Sequence, residues 1–432
     1  MVASIRKSRS YAEGLLNPEA IERHLSIREG DNSWFKAWIL ATLCHWSDQL
    51  VLEQGHSTPP EQIATVIPTP PQPSPLLEPE PPSLARRARL KAGAVLYDWP
   101  RYASLLTKSG DEWLKICNRN ESLIANPNGP GLICPWQWTS SLTGCQTWPI
   151  LGRWMLQRAF QRWPIRFSNI LPETDRPDVS FILPHRGTAR APLLRLTLQS
   201  IAASRNVRVE CIVVEQSNQR ELFDLPRGVR YMHLPHPEGD PLWRKCWAYN
   251  VGFTASRAPL VVFHDGDIPV PDLYAAELPK IFADPTIEAC WPQRFLFYLN
   301  HDHTQQITNE RVFVTNNVPE EVHQNWKGGT LAIRRDSFLR VGGFDESFVG
   351  WSGEDLEFYD RCLAIRVLRY GYIPFVHLWH PPQPSKTNAE RAGHIAHTRN
   401  VMSIPREERI LKLANHPVAS LLLNRATVGE TH

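Results

Sequence analysis

Asp265-Gly266-Asp267 follows the apolar run Leu260-Val261-Val262-Phe263, so two carboxylates stand where a buried strand gives out into a loop. In extended chain, residues two apart point to the same side. Asp265 and Asp267 are therefore expected to converge on one hard divalent cation, Mn2+ or Mg2+, and on a diphosphate that it bridges. Such a cation neutralises charge that develops on a departing phosphate group. The plain alternative is a strand-end turn, since turns are rich in Asp and Gly. A second acidic pair, Glu354-Asp355, follows Gly350-Trp351-Ser352-Gly353 at the start of a helix expected over 356–370. Carboxylates at a helix start suit its dipole, so these two can cap a helix, do chemistry, or both.

The elements that must position these groups follow from periodicity. Strand patterns over 179–184, 207–215, 229–234 and 259–264 alternate with helical patterns over 191–203 and 242–256. That alternation predicts an α/β domain with a mixed, mainly parallel sheet flanked by helices. Ligands in such sheets bind beyond the carboxyl ends of the strands, where both Pro184-His185-Arg186 and Asp265-Gly266-Asp267 fall. The expected organisation is a helical segment 1–57, a Pro-rich linker 58–83, a Trp-rich, mostly helical region 84–175, the α/β domain 176–400 and a helical tail 401–432. Prolines dominate the linker, remove backbone donors and favour extended chain.

Composition narrows the class. A chain of 432 residues with 42% hydrophobic and 21% charged side chains is ordinary for a globular protein. Its net charge of +3 gives no case for nucleic acid. None of the eight cysteines forms a Cys-x-x-Cys pair or a zinc spacing, and all are expected to be reduced, in a cytoplasmic protein. The N-terminus lacks the apolar core of a secretory signal. Residues 153–166 form a basic amphipathic face that suits either solvent or contact with the inner face of a membrane.

The run from Gly328 to Arg361 resembles the C-terminal motif of β-1,4-galactosyltransferases and the related family-2 and polypeptide N-acetylgalactosaminyltransferases. Gly328-Gly329, Gly342-Gly343-Phe344, Gly350-Trp351, Gly353-Glu354-Asp355 and Asp360-Arg361 carry the likeness. It covers about residues 178–390 and departs from the galactosyltransferase pattern at Ser352 and at Leu356-Glu357. The resemblance implies a GT-A fold, with Asp355 as the general base and Glu354 as its acceptor-orienting neighbour. It implies donor contacts from Pro184, His185, Arg186, Glu215, Asn250, Asp265, Gly329 and Trp351. It also implies a metal on Asp267 and Asp265 with His380, or alternatively His377. Arg244 and Lys245 suit either a diphosphate or an exposed helix face. The region 300–327, polar and poorly periodic, is expected to be a mobile loop over the site.

The expected activity is that of a hexosyltransferase, moving sugar from a UDP-sugar donor to a hydroxyl of a glycan or glycolipid, with inversion. A bacterial surface polysaccharide or glycolipid pathway is the expected setting. The rivals are a nucleotidyltransferase and an inactive domain that binds sugar or nucleotide. Against the first, Pro184-His185-Arg186-Gly187 is not a Gly-rich phosphate loop. Against the second, all the expected carboxylates are present.

Overall fold

Phe181, Val213 and Val262 pack on one face of a twisted sheet and Ile182, Val214 and Phe263 on the other. That two-sided burial is why these strands read as unbroken apolar runs. The computed structural model describes residues 92–414, apart from 109, 120, 128, 135–138, 236–241, 351, 352 and 382–387. The expectations for 1–57 and 58–83, and that for Trp351, lie outside the described residues.

Ahead of the α/β part come a π-helical turn (Ala94–Asp98), α1 (Trp99–Thr107), β1 (Ile124–Ala125), β2 (Leu132–Ile133), β3 (Ser140–Ser141), α2 (Thr143–Thr147) and α3 (Pro149–Arg162). Pro100 and Pro149 sit in the first turns of α1 and α3, where a missing N–H leaves no bond unmade. The α/β part then runs β4 (Val179–His185), α4 (Ala191–Ala202), β5 (Val209–Gln216), β6 (Arg230–Leu234), α5 (Lys245–Ala255) and β7 (Leu260–His264). It continues through α6 (Tyr274–Ile281), β8 (Ala289–Tyr298), α7 (His301–Glu310), β9 (Glu321–Gln324), β10 (Thr330–Arg334) and α8 (Arg335–Arg340). The last elements are α9 (Glu354–Cys362), β11 (Val367–His377), α10 (Asn388–Met402) and α11 (Arg406–Ala414).

The strand order is β3-β9-β8-β10-β7-β4-β5-β6, with β11 alongside β8. β6, β5, β4 and β7 are parallel neighbours, as are β8 and β11, while β10 runs antiparallel between β7 and β8. β5 and β6 are laid to one side of β4 and β7 to the other. The chain's direction of winding therefore reverses between β4 and β7, and a crevice opens outside their carboxyl ends. His185 ends β4 and His264 ends β7, which delivers the acidic pair to that crevice. Phe263 lies 4.6 Å from the Phe338 ring and 4.9 Å from Phe344, so the strand behind the pair is held by aromatic packing. Truncating such a residue to Ala costs about 3–5 kcal/mol.

Two expectations about secondary structure differ from what is observed. The stretch 300–327 holds α7 and β9. Asn300 caps α7 by accepting the His303 N–H at 2.8 Å, and His303 and Ile307, one turn apart, are both buried. The helix expected over 356–370 ends at Cys362, and Val367 already pairs with Ala289 of β8. The leading segment is fixed to the sheet by Arg294 of β8. Its buried guanidinium donates to the carbonyls of Leu114 and Ile116 and to Gln324 Oε1, at 3.1, 2.7 and 2.9 Å.

Candidate active site

Lys245, at the first turn of α5, joins the two acidic motifs. Its Nζ lies 3.0 Å from Asp265 Oδ1, 3.3 Å from Glu354 Oε1 and 3.7 Å from Asp355 Oδ1. The Tyr249 hydroxyl, one turn further on, also donates to Asp265 Oδ1 at 3.0 Å. Glu354 and Asp355 open α9 with three acidic residues in its first turn, so the helix dipole favours their charge. Three carboxylates around one ammonium leave an excess of negative charge. Burial pushes Asp355 up to about 7, against the pull of Lys245, and Glu354 and Asp265 push it the same way as burial. Its side chain remains 34% exposed, so the carboxylate is recessed yet open to the cleft.

Asp267 turns the other way. The alternation expected of extended chain ends with β7, because Gly266 and Asp267 form a turn. The two aspartates therefore part instead of converging. Asp267 Oδ2 lies 3.2 Å from His380 Nε2, and Oδ1 lies 3.7 Å from His377 Nε2. One ligand atom from each of Asp267, His377 and His380 falls within 4.8 Å of the others. Both histidines are brought there by the end of β11, where the Leu378 N–H donates to the Asp267 carbonyl at 2.9 Å. Tyr298 stacks on His377 at 4.4 Å and 16°, which fixes that ring's plane.

This donor set fits a divalent cation. Asp267 Oδ1 is buried and accepts no hydrogen bond among the described residues. The Pro381 carbonyl lies 2.9 Å from His380 Nδ1, an arrangement that orients an imidazole so that its other nitrogen faces a ligand. One carboxylate and two imidazoles suit Mn2+ better than Mg2+. Burial opposes ionisation of Asp267, but the neighbouring His377 and His380, with Arg190, hold its carboxyl well below the usual range. Arg190 reaches the cluster from the turn before α4, 3.4 Å from Asp267 Oδ2 and 3.1 Å from His380 Nδ1.

The backbone floor of the cleft is Gly328-Gly329. Gly329 has φ +87° and its carbonyl accepts the Asp265 N–H at 2.8 Å. A Cβ at Gly328 would stand 2.5 Å from Asp355 Oδ2. The remaining expected residues are placed as follows. Pro184 and His185 are buried at the end of β4, with His185 Nε2 donating to the Gly187 carbonyl at 2.7 Å, while Arg186 is exposed. Glu215 is fully buried and accepts the N–H groups of Glu221 and Leu222 at 3.0 and 3.2 Å. Asn250 is 2% exposed; its amide donates to Phe344 O and Glu346 Oε1, and its oxygen accepts the Phe344 N–H. Sequence reasoning did not find Arg190, four residues past Arg186, and left Lys245 undecided. The signal for Lys245 was its spacing of four from Tyr249, which puts both on one face of α5.

Comparison with known proteins bears on these elements. Residues 314–374 match the family model described as the N-terminal domain of galactosyltransferase. Chondroitin synthase of Escherichia coli is 23% identical over a region covering 46% of this chain and 34% of that protein. The matched region thus spans about a third of that relative's length. A mannosyltransferase from Pyrobaculum calidifontis, solved in complex with GDP-Man and Mn2+, is 18% identical with a TM-score of 0.36, covering 66% of this chain and 84% of its own. The family match falls on β9, β10, α8, α9 and most of β11, which carry the glycine floor and the Glu354-Asp355 pair. Together with the curated relative, it makes this part of the chain similar to glycosyltransferases.

Proposed function

We propose that the chain transfers a hexose from a UDP-sugar to a hydroxyl of a glycan or glycolipid acceptor, with inversion and with a divalent metal. The observation that carries this reading is the Lys245 ammonium, which ties Asp265 at the end of β7 to Asp355 at the start of α9. It sets a carboxylate of raised proton affinity beside the turn that holds Asp267 and its two histidines. Asp355 takes the proton from the acceptor hydroxyl as the oxygen attacks the anomeric carbon. Glu354, held by the same lysine, orients the acceptor. Asp267, His380 and His377 would hold the metal, which when bound neutralises charge on the leaving diphosphate. The missing side chains of Gly328 and Gly329 leave room for the Asp355 carboxylate and for Ile268 against the floor. Asp265, Pro184, His185 and Arg186 line the donor side, with Arg190 adding a cation next to the diphosphate position. Glu215 and Asn250 serve that side by holding the loops after β5 and before α9.

Among the described residues no helix is long and apolar enough to cross a membrane. The basic residues of 153–166 suit an acceptor lodged at a membrane surface, as in synthesis of bacterial surface polysaccharide or glycolipid. The test is release of UDP from a panel of UDP-sugars with and without Mn2+. Metal-dependent release from at least one donor is expected, reduced about 100-fold or more in Asp355→Asn with acceptor present. Equal rates in wild type and Asp355→Asn would remove the base from the account.

A further inference from the structure

We infer that α1 and the turn before it, together with the basic face of α3, form a docking surface for an anionic lipid bilayer. α1 buries one face, through Tyr102 and Leu105, against the leading segment's core. Beside that buried face lies a flank of exposed apolar side chains. Leu96, Trp99 and Leu106 fall at helical spacing and are 67%, 38% and 49% exposed, and Tyr97 beside them is 63% exposed. An isolated exposed apolar residue is ordinary, but four large ones between Leu96 and Leu106 are not.

Charge complementarity names the occupant. From Ala92 to Arg166 the chain has eight basic and four acidic side chains, an excess greater than the net +3 of the whole chain. α3 alone carries Arg153, Arg158 and Arg162 and no carboxylate, with Arg162 in an exposed ion pair with Asp111 that screens little of its charge. These charges lie against the stripe. Trp154 of α3 packs edge-on to Trp99 with centroids 5.5 Å apart, the Arg158 guanidinium donates to the Leu105 carbonyl, and Arg119 lies 5.7 Å over the Tyr97 ring. Exposed Trp, Tyr and Leu rimmed by Arg and Lys match a bilayer interface, where rings sit at headgroup depth and cations meet anionic lipid. α1 has nine residues and is too short to span a bilayer, so it would lie in the interface plane. The inference deepens the proposed acceptor setting and is independent of the transfer chemistry.

The experiment is co-sedimentation of the full chain with vesicles of phosphatidylcholine alone or mixed with phosphatidylglycerol, at low and high salt. Binding is expected only to the anionic vesicles and is expected to weaken with salt. The variant Leu96→Ser/Tyr97→Ser/Leu106→Ser should bind at least tenfold more weakly, and Lys108→Gln/Arg162→Gln should lose the preference for anionic lipid. Both should keep the wild-type melting temperature and UDP release from soluble donor. Absence of binding to either vesicle, or unchanged binding in both variants, would overturn the inference. So would a wild-type dimer that becomes monomeric in the triple variant, because a second copy would then cover the stripe. Vesicle binding without any UDP release would leave the surface standing and count against the transfer reading alone.

Discussion

In the proposed mechanism Asp355 sets the pH behaviour of the site. Because burial raises its proton affinity to about 7, it is protonated and idle below that value and ready to accept a proton above it. Transfer rate is therefore expected to climb with pH through about 7 and then level, measured at saturating donor. Stability runs the other way for this group. Its folded-state value lies above the ordinary 3.8, so its contribution is complete below 3.8 and is lost as pH rises through about 7. Lys245 tempers the shift by lowering it. Lys245→Met should move the rising limb of the rate profile to higher pH, and a profile left in place would show that the lysine does not govern the base. At this scale the sequence singled out these carboxylates but not how they are shared. Asp265 and Asp267, two residues apart, serve different clusters because the chain turns at Gly266. The lysine that unites the motifs belongs to neither of them.

Elements explain what was legible. β4, β5 and β7 read directly as apolar runs because both of their faces are buried, whereas β6, at the sheet's edge, is only half-buried. α7 was hidden because its sequence, HDHTQQITNE, is polar except for Ile307, and its cap and two buried contacts hold it in place of a long apolar stripe. The end of α9 was misplaced because 363–370 contains good helix formers, whereas pairing of Val367 and Leu368 with β8 makes them strand. The glycine floor before β10 yields a sharp test. Gly328→Ala would bring a methyl group to 2.5 Å from Asp355 Oδ2, so the carboxylate must move while the strand stays. Activity is expected to fall about 100-fold with little change in melting temperature. Wild-type activity in that variant would contradict the placement of Asp355.

Across the whole molecule, the described part of the leading segment is joined to the sheet by a buried cation on β8. Arg294 donates to two carbonyls of residues 114–116 and to Gln324, and Arg294→Met would strand those acceptors. A loss of about 3 kcal/mol is expected, with faster proteolysis near 92–116 at native temperature. Unchanged cleavage there would mean the segment is held by apolar packing alone. None of this was legible in sequence, since Arg294 is an isolated charge in an apolar run, 178 residues from its partner Ile116. The most direct measurement is the thermal shift of the full chain with UDP, GDP and other nucleoside diphosphates, with and without Mn2+. A ligand that binds only the native state raises the melting temperature in proportion to the logarithm of its concentration over Kd. The account predicts stabilisation by UDP that requires Mn2+ and vanishes in Asp267→Ala. No response to any nucleoside diphosphate, or an Asp267→Ala response equal to wild type, would contradict it.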